Sequence, residues 1–259
     1  MVRLDSVVAE RARVTRAQAR ALIMEGRVRV DGEPAAKAGQ NVRQGANVEI
    51  ERPRRFVSRG GEKLEAALDA FGIDVRGADA LDVGASTGGF TDCLLQRGAE
   101  HVTALDVGYG QLDWRLRNDR RVTVMERTNF RVLPADAFTE GFDIITIDVS
   151  FISLRPMLAR AVAYLREHAA IVALVKPQFE AGRELVGKGG VVRDPSVHRD
   201  VLRQVVEAAG EVGLAAVALA SSPLRGPSGN REFLLGLRKA GKSVDEERID
   251  EVIAEGRAS

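Results

Sequence analysis

Lys63, Asp148, Lys176 and Glu232 are the charged residues whose placement calls for a chemical reason. Asp148 ends the apolar run Phe142–Ile147, Lys176 ends Ile171–Val175, and Glu232 begins the run Phe233–Leu237. Read as parallel strands of one sheet, the first two runs deliver Asp148 and Lys176 to the same edge, at carboxyl ends where open α/β sheets carry their sites. An antiparallel last strand places Glu232 on that edge too. Lys63, read as lying just before the first helix of this region, reaches over it. Two lysines and two carboxylates together suit the removal of a proton from a weakly acidic hydroxyl and the aiming of its oxygen. A lysine serves as base only when its pKa falls well below ~10.4; burial or a second cation lowers it and carboxylates raise it, so the balance stays open. Each residue also has an ordinary reading, Asp148 as a helix cap and Glu232 as a surface partner of Arg231.

Upstream, Leu81-Asp82-Val83-Gly84-Ala85-Ser86-Thr87-Gly88-Gly89-Phe90 closes another apolar run, Ala80–Val83. Glycines at the carboxyl end of a strand let the backbone turn sharply and approach a ligand. The spacing is not the dinucleotide G-x-G-x-x-G, and there is no Walker lysine. Asp106 ends the next strand, about twenty residues on, where a carboxylate receives both ribose hydroxyls of an adenosine cofactor. A glycine-rich first turn with an acidic second strand end resembles the class I S-adenosyl-L-methionine methyltransferases. The expected cofactor residues are Asp82, Gly84, Ala85, Ser86, Thr87, Gly88, Gly89, Phe90, Asp106 and Asp148.

These positions need a scaffold. Apolar runs at Ala80–Val83, Val102–Val107, Val122–Met125, Phe142–Ile147, Ile171–Val175, Val217–Ala220 and Phe233–Leu237 alternate mostly with helical stretches. That pattern predicts an α/β, Rossmann-like domain with a mostly parallel seven-stranded sheet and helices on both faces. Val244–Ile253 reads as a C-terminal helix. Two loops, Gly187-Lys188-Gly189-Gly190 with Arg193 and Gly226-Pro227-Ser228-Gly229-Asn230, are candidates for closing on a ligand or setting Glu232, or are plain connections.

Cys93 is the only cysteine and the three histidines are scattered, which removes disulfide scaffolds, metal sites and a cysteine nucleophile. Cys93 itself reads as a core residue of a helix. No run approaches a bilayer span, and no signal-peptide core follows Met1, so the expected location is the cytoplasm, with no membrane partner. No oligomer is implied.

The net charge of +1 hides an asymmetry: residues 1–59 hold 13 Lys/Arg against 7 Asp/Glu, and the rest hold 25 against 30. Arg3 to Gly26 reads as two short helices, the second from Thr15 as N-cap to Glu25, with Ala19, Leu22 and Ile23 facing inward. Val28 and Val30, an Asp31-Gly32 turn, and Val48 and Ile50 then read as strands of a small α+β unit. Arg3-Leu4-Asp5, Thr15 to Ile23 and Gly26 to Gly32 resemble the alpha-L RNA-binding fold of ribosomal protein S-four. The expected phosphate contacts are Arg3, Arg16, Arg20, Arg27 and Arg29, joined by Arg54, Arg55 and Arg59 of a basic linker. Domains are therefore expected at 1–52 and 62–259, with 53–61 between them.

Across nearly the whole chain, Ser58-Arg59-Gly60-Gly61-Glu62-Lys63-Leu64, Asp148-Val149-Ser150-Phe151-Ile152-Ser153, Val175-Lys176-Pro177-Gln178-Phe179-Glu180 and Gly226-Pro227-Ser228-Gly229-Asn230-Arg231-Glu232 resemble the TlyA family. Its members are similar to FtsJ-type 2′-O-ribose methyltransferases. The resemblance implies a Lys63-Asp148-Lys176-Glu232 tetrad, S-adenosyl-L-methionine as donor, and cytidine in ribosomal RNA of the small or large subunit as acceptor. The linker Arg54-Arg55-Phe56-Val57 departs from a family member that carries tryptophan there. Rival readings are a base methyltransferase, which would carry an Asn/Asp-Pro-Pro-Tyr/Phe loop in place of Asp148-Val149-Ser150-Phe151, a non-catalytic RNA-binding assembly factor, and a membrane-lytic protein.

Overall fold

The computed structural model describes residues 1–50, 55–226 and 228–255, and separates into two compact units, Met1–Arg54 and Arg55–Ser259. The first unit comprises β1 (Val2–Arg3), α1 (Leu4–Ala12), α2 (Arg16–Met24), β2 (Val28–Val30), β3 (Glu33–Pro34), β4 (Asn41–Val42) and β5 (Val48–Ile50). Thr15 and Gln18 close a capping box at the start of α2, satisfying orphan N–H groups there. Asp31 and Gly32, both at positive φ, turn β2 into β3, as a two-residue hairpin requires. Ala19 and Ile23 of α2 join Leu4, Val8, Val28, Val42 and Val48 in this unit's core, and Leu22 packs against it. The two-residue strands β1 and β4 are too short to leave an alternation in the sequence.

The second unit runs α3 (Gly60–Phe71), β6 (Asp79–Val83), α4 (Gly89–Gln96), β7 (His101–Leu105), α5 (Trp114–Arg117), β8 (Val122–Met125), β9 (Phe142–Ile147), α6 (Arg155–Ala161), β10 (Leu165–Val175), α7 (Pro177–Glu180), α8 (Pro195–Glu211), β11 (Ala215–Ser221), β12 (Phe233–Arg238) and α9 (Glu246–Glu255). Its sheet has the order β11-β12-β10-β9-β6-β7-β8, with β12 antiparallel to both neighbours and the remaining pairs parallel. Side chains alternate between two cores. Leu81, Val83, Ile145, Ile147, Ile171 and Ala173 face the layer containing Leu158, Val201, Leu202 and Val252. Ala80, Val102, Ile144, Val172 and Leu174 face Leu64, Leu68 and Leu94. Burial on both faces explains why these strands read as unbroken apolar runs.

Among the boundaries that differ from the sequence reading, three have a local physical cause. The helix expected to follow Lys63 begins at Gly60, so Lys63 lies within its first turn; Ser58 Oγ accepts the Gly60 N–H and steadies this start despite two glycines. Strand β10 begins at Leu165 rather than Ile171, its first half masked by the polar Arg166-Glu167-His168 and an irregular register. The last helix starts at Glu246 because Asp245 caps it, accepting the Arg248 N–H. No described helix is long and apolar enough to cross a membrane.

Candidate active site

The sheet's register brings the charged strand ends together. Val175 pairs with Phe233, so Lys176 and Glu232 leave adjacent antiparallel strands at one level. Ile147 pairs with both Ala173 and Val83, which puts Asp148 beside the start of the glycine loop. Glu232 is buried and its Oε2 accepts from Lys63 Nζ, itself buried on α3. Lys176 Nζ lies 2.5 Å from Asp148 Oδ1 and donates to Ser150 Oγ at 3.0 Å. The four expected residues thus form two ion pairs, and neither surface reading survives: Glu232 does not pair with Arg231, and Asp148 caps no helix.

Asp148 Oδ1 is buried, and its close contact is the ion pair with Lys176. The loop after Asp148 is fastened by Glu180 of α7, which accepts from Ser153 Oγ at 2.7 Å and from Leu154 N at 2.6 Å. Phe151 in this loop is 90 % exposed at φ 66, a conformation rare for a bulky side chain, and its ring lies 5.1 Å from that of Phe179.

A cavity of about 530 Å³ opens beside Asp148, within the size range of small-molecule sites. Val83, Gly84, Ser86, Asp106, Gln111, Asn129, Phe130, Ile152 and Met157 are among its walls. Gly84 sits at φ 85, and a Cβ there would stand 2.5 Å from Asp148 O, so no larger residue fits. Asp106 Oδ2 accepts from Ser86 N at 2.8 Å and Oδ1 from Gly108 N at 2.7 Å, which fixes the carboxylate against the glycine loop with lone pairs to spare.

Not every expected cofactor residue reaches this cavity. Gly84, Ser86, Asp106 and Asp148 line it, whereas Asp82, Ala85, Thr87, Gly88, Gly89 and Phe90 are not among its lining residues. Asp82 is fully buried and accepts from Thr91 Oγ1 at 2.7 Å and Thr146 Oγ1 at 3.0 Å, tying β6 to α4 and β9. Burial pushes its carboxyl up to about 6, against the pull of the two hydroxyls. Phe90 and Cys93 belong to the core behind the loop. Gln111, Asn129, Phe130 and Met157 were not legible as site residues, since they come from loops and an apolar helix face that carry no motif.

In the first unit the arginines are organised by one carboxylate. Asp5, fully buried, accepts from Arg3, from Arg16 at 3.0 Å and from Arg20 at 3.1 Å, and the Arg3 guanidinium foremost holds its carboxyl well below the usual range. The three guanidinium groups remain half-exposed, so the cluster keeps a surplus of positive charge on one face. Arg27 lies against Glu25, and Arg29 donates to Gly32 O. In the second unit, Arg55 pairs with Glu65 at 2.5 Å, and Arg59 is exposed ahead of α3. Arg54 lies outside the described residues, as do 51 and 52 at the end of the first expected domain and 53 at the start of the expected linker. Among the described residues no cluster of potential metal ligands occurs.

Comparison with known proteins gives these features a context. Residues 56–239 match the FtsJ-like methyltransferase model and residues 2–48 the S4 domain model. The 16S/23S rRNA (cytidine-2′-O)-methyltransferase TlyA of Mycobacterium tuberculosis is 50% identical over 226 residues, 86% of this chain and 84% of that protein. YqxC of Bacillus subtilis, a candidate rRNA methyltransferase, is 47% identical over 98% of this chain and 93% of its own length. A solved structure of a candidate hemolysin from Streptococcus thermophilus superposes with a TM-score of 0.77 at 41% identity, covering 99% of this chain and 96% of that one.

Proposed function

The chain belongs to the FtsJ-like methyltransferase family, and from that membership and the strand-end geometry we propose that it transfers a methyl group from S-adenosyl-L-methionine to a cytidine ribose 2′-hydroxyl in ribosomal RNA. The observation that carries this reading is the alternation Lys63, Glu232, Lys176, Asp148 along one sheet edge beside the cavity.

The residues present fit the donor. Asp106 has acceptor capacity left for a ribose diol, Phe130, Ile152 and Met157 offer apolar walls for a purine, and Gly84 leaves the backbone bare. When bound, the donor supplies an electrophilic methyl group on a sulfonium. Lys176 acts as the general base toward the hydroxyl proton at Nζ, where Asp148 and Ser150 hold the nitrogen in place. Lys63, fixed by Glu232, steadies the ribose oxygen as its proton leaves. The first unit positions the RNA through phosphate contacts from Arg3, Arg16, Arg20, Arg27 and Arg29, with Arg54, Arg55 and Arg59 adding charge, on the surface of a ribosomal subunit in the cytoplasm.

The test is Lys176→Ala assayed with labelled donor and ribosomal subunits from cells lacking the enzyme. Methyl transfer falls at least 100-fold (about 10²–10⁴ for a general base) while donor affinity is unchanged. Full activity in the variant removes Lys176 from the mechanism.

A further inference from the structure

Glu232 is the third of three consecutive side chains that each reach a different element. Asn230, buried, accepts the Val192 N–H through Oδ1 at 2.9 Å and donates from Nδ2 to Gly190 O at 2.8 Å, fastening the loop after α7. Arg231 donates from Nη1 to Ile253 O at 2.9 Å and from Nη2 to Val252 O at 3.2 Å, carbonyls in the last turn of α9, and from Nη2 to Ser221 Oγ of β11 at 3.4 Å; its guanidinium lies 5.1 Å from the Phe233 ring. Glu232 turns to Lys63. A helix leaves its last carbonyls without intrahelical partners and carries partial negative charge there, so a forked cation is a strong clasp for that end.

The position of α9 gives the clasp its meaning. The methyltransferase match ends at residue 239, and α9 lies beyond it. The helix nevertheless buries Ile249, Val252 and Ile253 in the main core. Its final residue, Glu255, lines a small cavity with Ser221, Arg225, Arg231 and Glu232. The Arg231–Glu232 peptide links this added helix to the charged strand ends through adjacent residues.

We infer that Arg231 is a positioning residue, which sets the Glu232 carboxylate against Lys63 by anchoring the start of β12 to the C-terminal end of α9. The helix appended to the family domain is then part of the catalytic apparatus. This inference rests on the proposed role of Glu232. Arg231 is not among the residues lining the cavity beside Asp148, so its removal acts on turnover through Glu232 and leaves donor affinity alone. Lysine, with one ammonium in place of a fork, restores part of the clasp.

A double-mutant cycle in the full-length protein tests it, because residues that act through one another are not additive. Arg231→Ala, Arg231→Lys and Ile253→Pro, the last disrupting the end of α9 that Arg231 clasps while the Arg231 side chain is kept, are each made with Glu232 and with Glu232→Gln. Single-turnover methylation and donor affinity are measured, with thermal melts to confirm folding. With Glu232 present, Arg231→Ala and Ile253→Pro lower the rate about tenfold at unchanged KM, and Arg231→Lys lowers it less. With Glu232→Gln, already slow, each change adds less than twofold. Equal losses in both backgrounds, or no loss with Glu232, overturn the inference. Full activity of Glu232→Gln alone overturns instead the role of Glu232 on which it rests.

Discussion

Lys176 Nζ sits 2.5 Å from Asp148 Oδ1 yet directs its hydrogen bond to Ser150 Oγ, 3.0 Å away. The charge partner and the hydrogen-bond partner of the proposed base are therefore different residues. Asp148 supplies attraction, and Ser150, two residues along the same loop, supplies direction.

Ser150→Ala should consequently misaim Lys176 without removing its counter-charge. The expected result is a turnover loss of about tenfold, smaller than that of Lys176→Ala, with donor affinity unchanged; a directional hydrogen bond of this kind contributes about 1 kcal/mol, or a factor of five to ten. Steady-state kinetics on the two variants measure it. Equal losses would make Ser150 as indispensable as the base and contradict a purely directing role.

Gly226 faces Glu232 so closely that a Cβ there would stand 2.5 Å from Oε1. Gly226→Ala should push the carboxylate away from Lys63 and lower turnover severalfold, and because Gly226 is itself buried the melting temperature should fall somewhat as well. Unaltered kinetics would mean that the Glu232 position tolerates the shift.

Asp82 yields a prediction about pH rather than rate. Its carboxyl is raised to about 6 by burial, above the ~3.9 of an unfolded chain. Between those values the folded state holds the extra proton, so this group's contribution to stability falls as pH rises from about 4 to about 6 and stays low above. A shift of about two units corresponds to about 3 kcal/mol. Denaturant unfolding at about pH 4.5 and about pH 7 should therefore show Asp82→Asn gaining on the parent protein at the higher pH. Parallel changes in both proteins would contradict the buried, proton-linked carboxyl.

Arg29 is the cleaner probe of the first unit, because Arg16 and Arg20 also hold Asp5. Arg29→Ala should weaken RNA binding and reduce the slope of log affinity against log salt by about 1. Arg16→Ala with Arg20→Ala should reduce the slope by about 2 and also lower the unit's melting temperature. An unchanged slope in both would remove these arginines from the RNA contact.

What the sequence revealed follows from physics that is local. Unbroken apolar runs from strands buried on both faces, the glycine turn after Val83 and the Asp31-Gly32 hairpin announce themselves because burial and backbone geometry demand particular residues at those points. Asp148, Lys176 and Glu232 stood out because a charge at the end of an apolar strand is conspicuous; Lys63, on α3, carried no such mark. Pairing was not legible: nothing local tells that Lys63 goes with Glu232 and Lys176 with Asp148, since that choice depends on the packing of α3 over β12. Asp82 looked like a ligand contact from its place in the glycine motif, but strand alternation turns it away from the cavity and into the core, beside Thr91 and Thr146. The role of Arg231 was not legible from its place in the Gly226–Glu232 stretch, because it donates to backbone carbonyls of α9, which the sequence does not distinguish from any others.

The central claim is that the acceptor is a ribose hydroxyl. Ribosomal subunits from cells lacking the enzyme, taken separately, should be incubated with the purified protein and methyl-labelled donor, and their RNA hydrolysed with alkali. A methylated 2′-oxygen cannot attack the neighbouring phosphate, so the label should survive in an alkali-resistant dinucleotide containing cytidine. Label recovered in ordinary mononucleotides, on a base, would contradict the account.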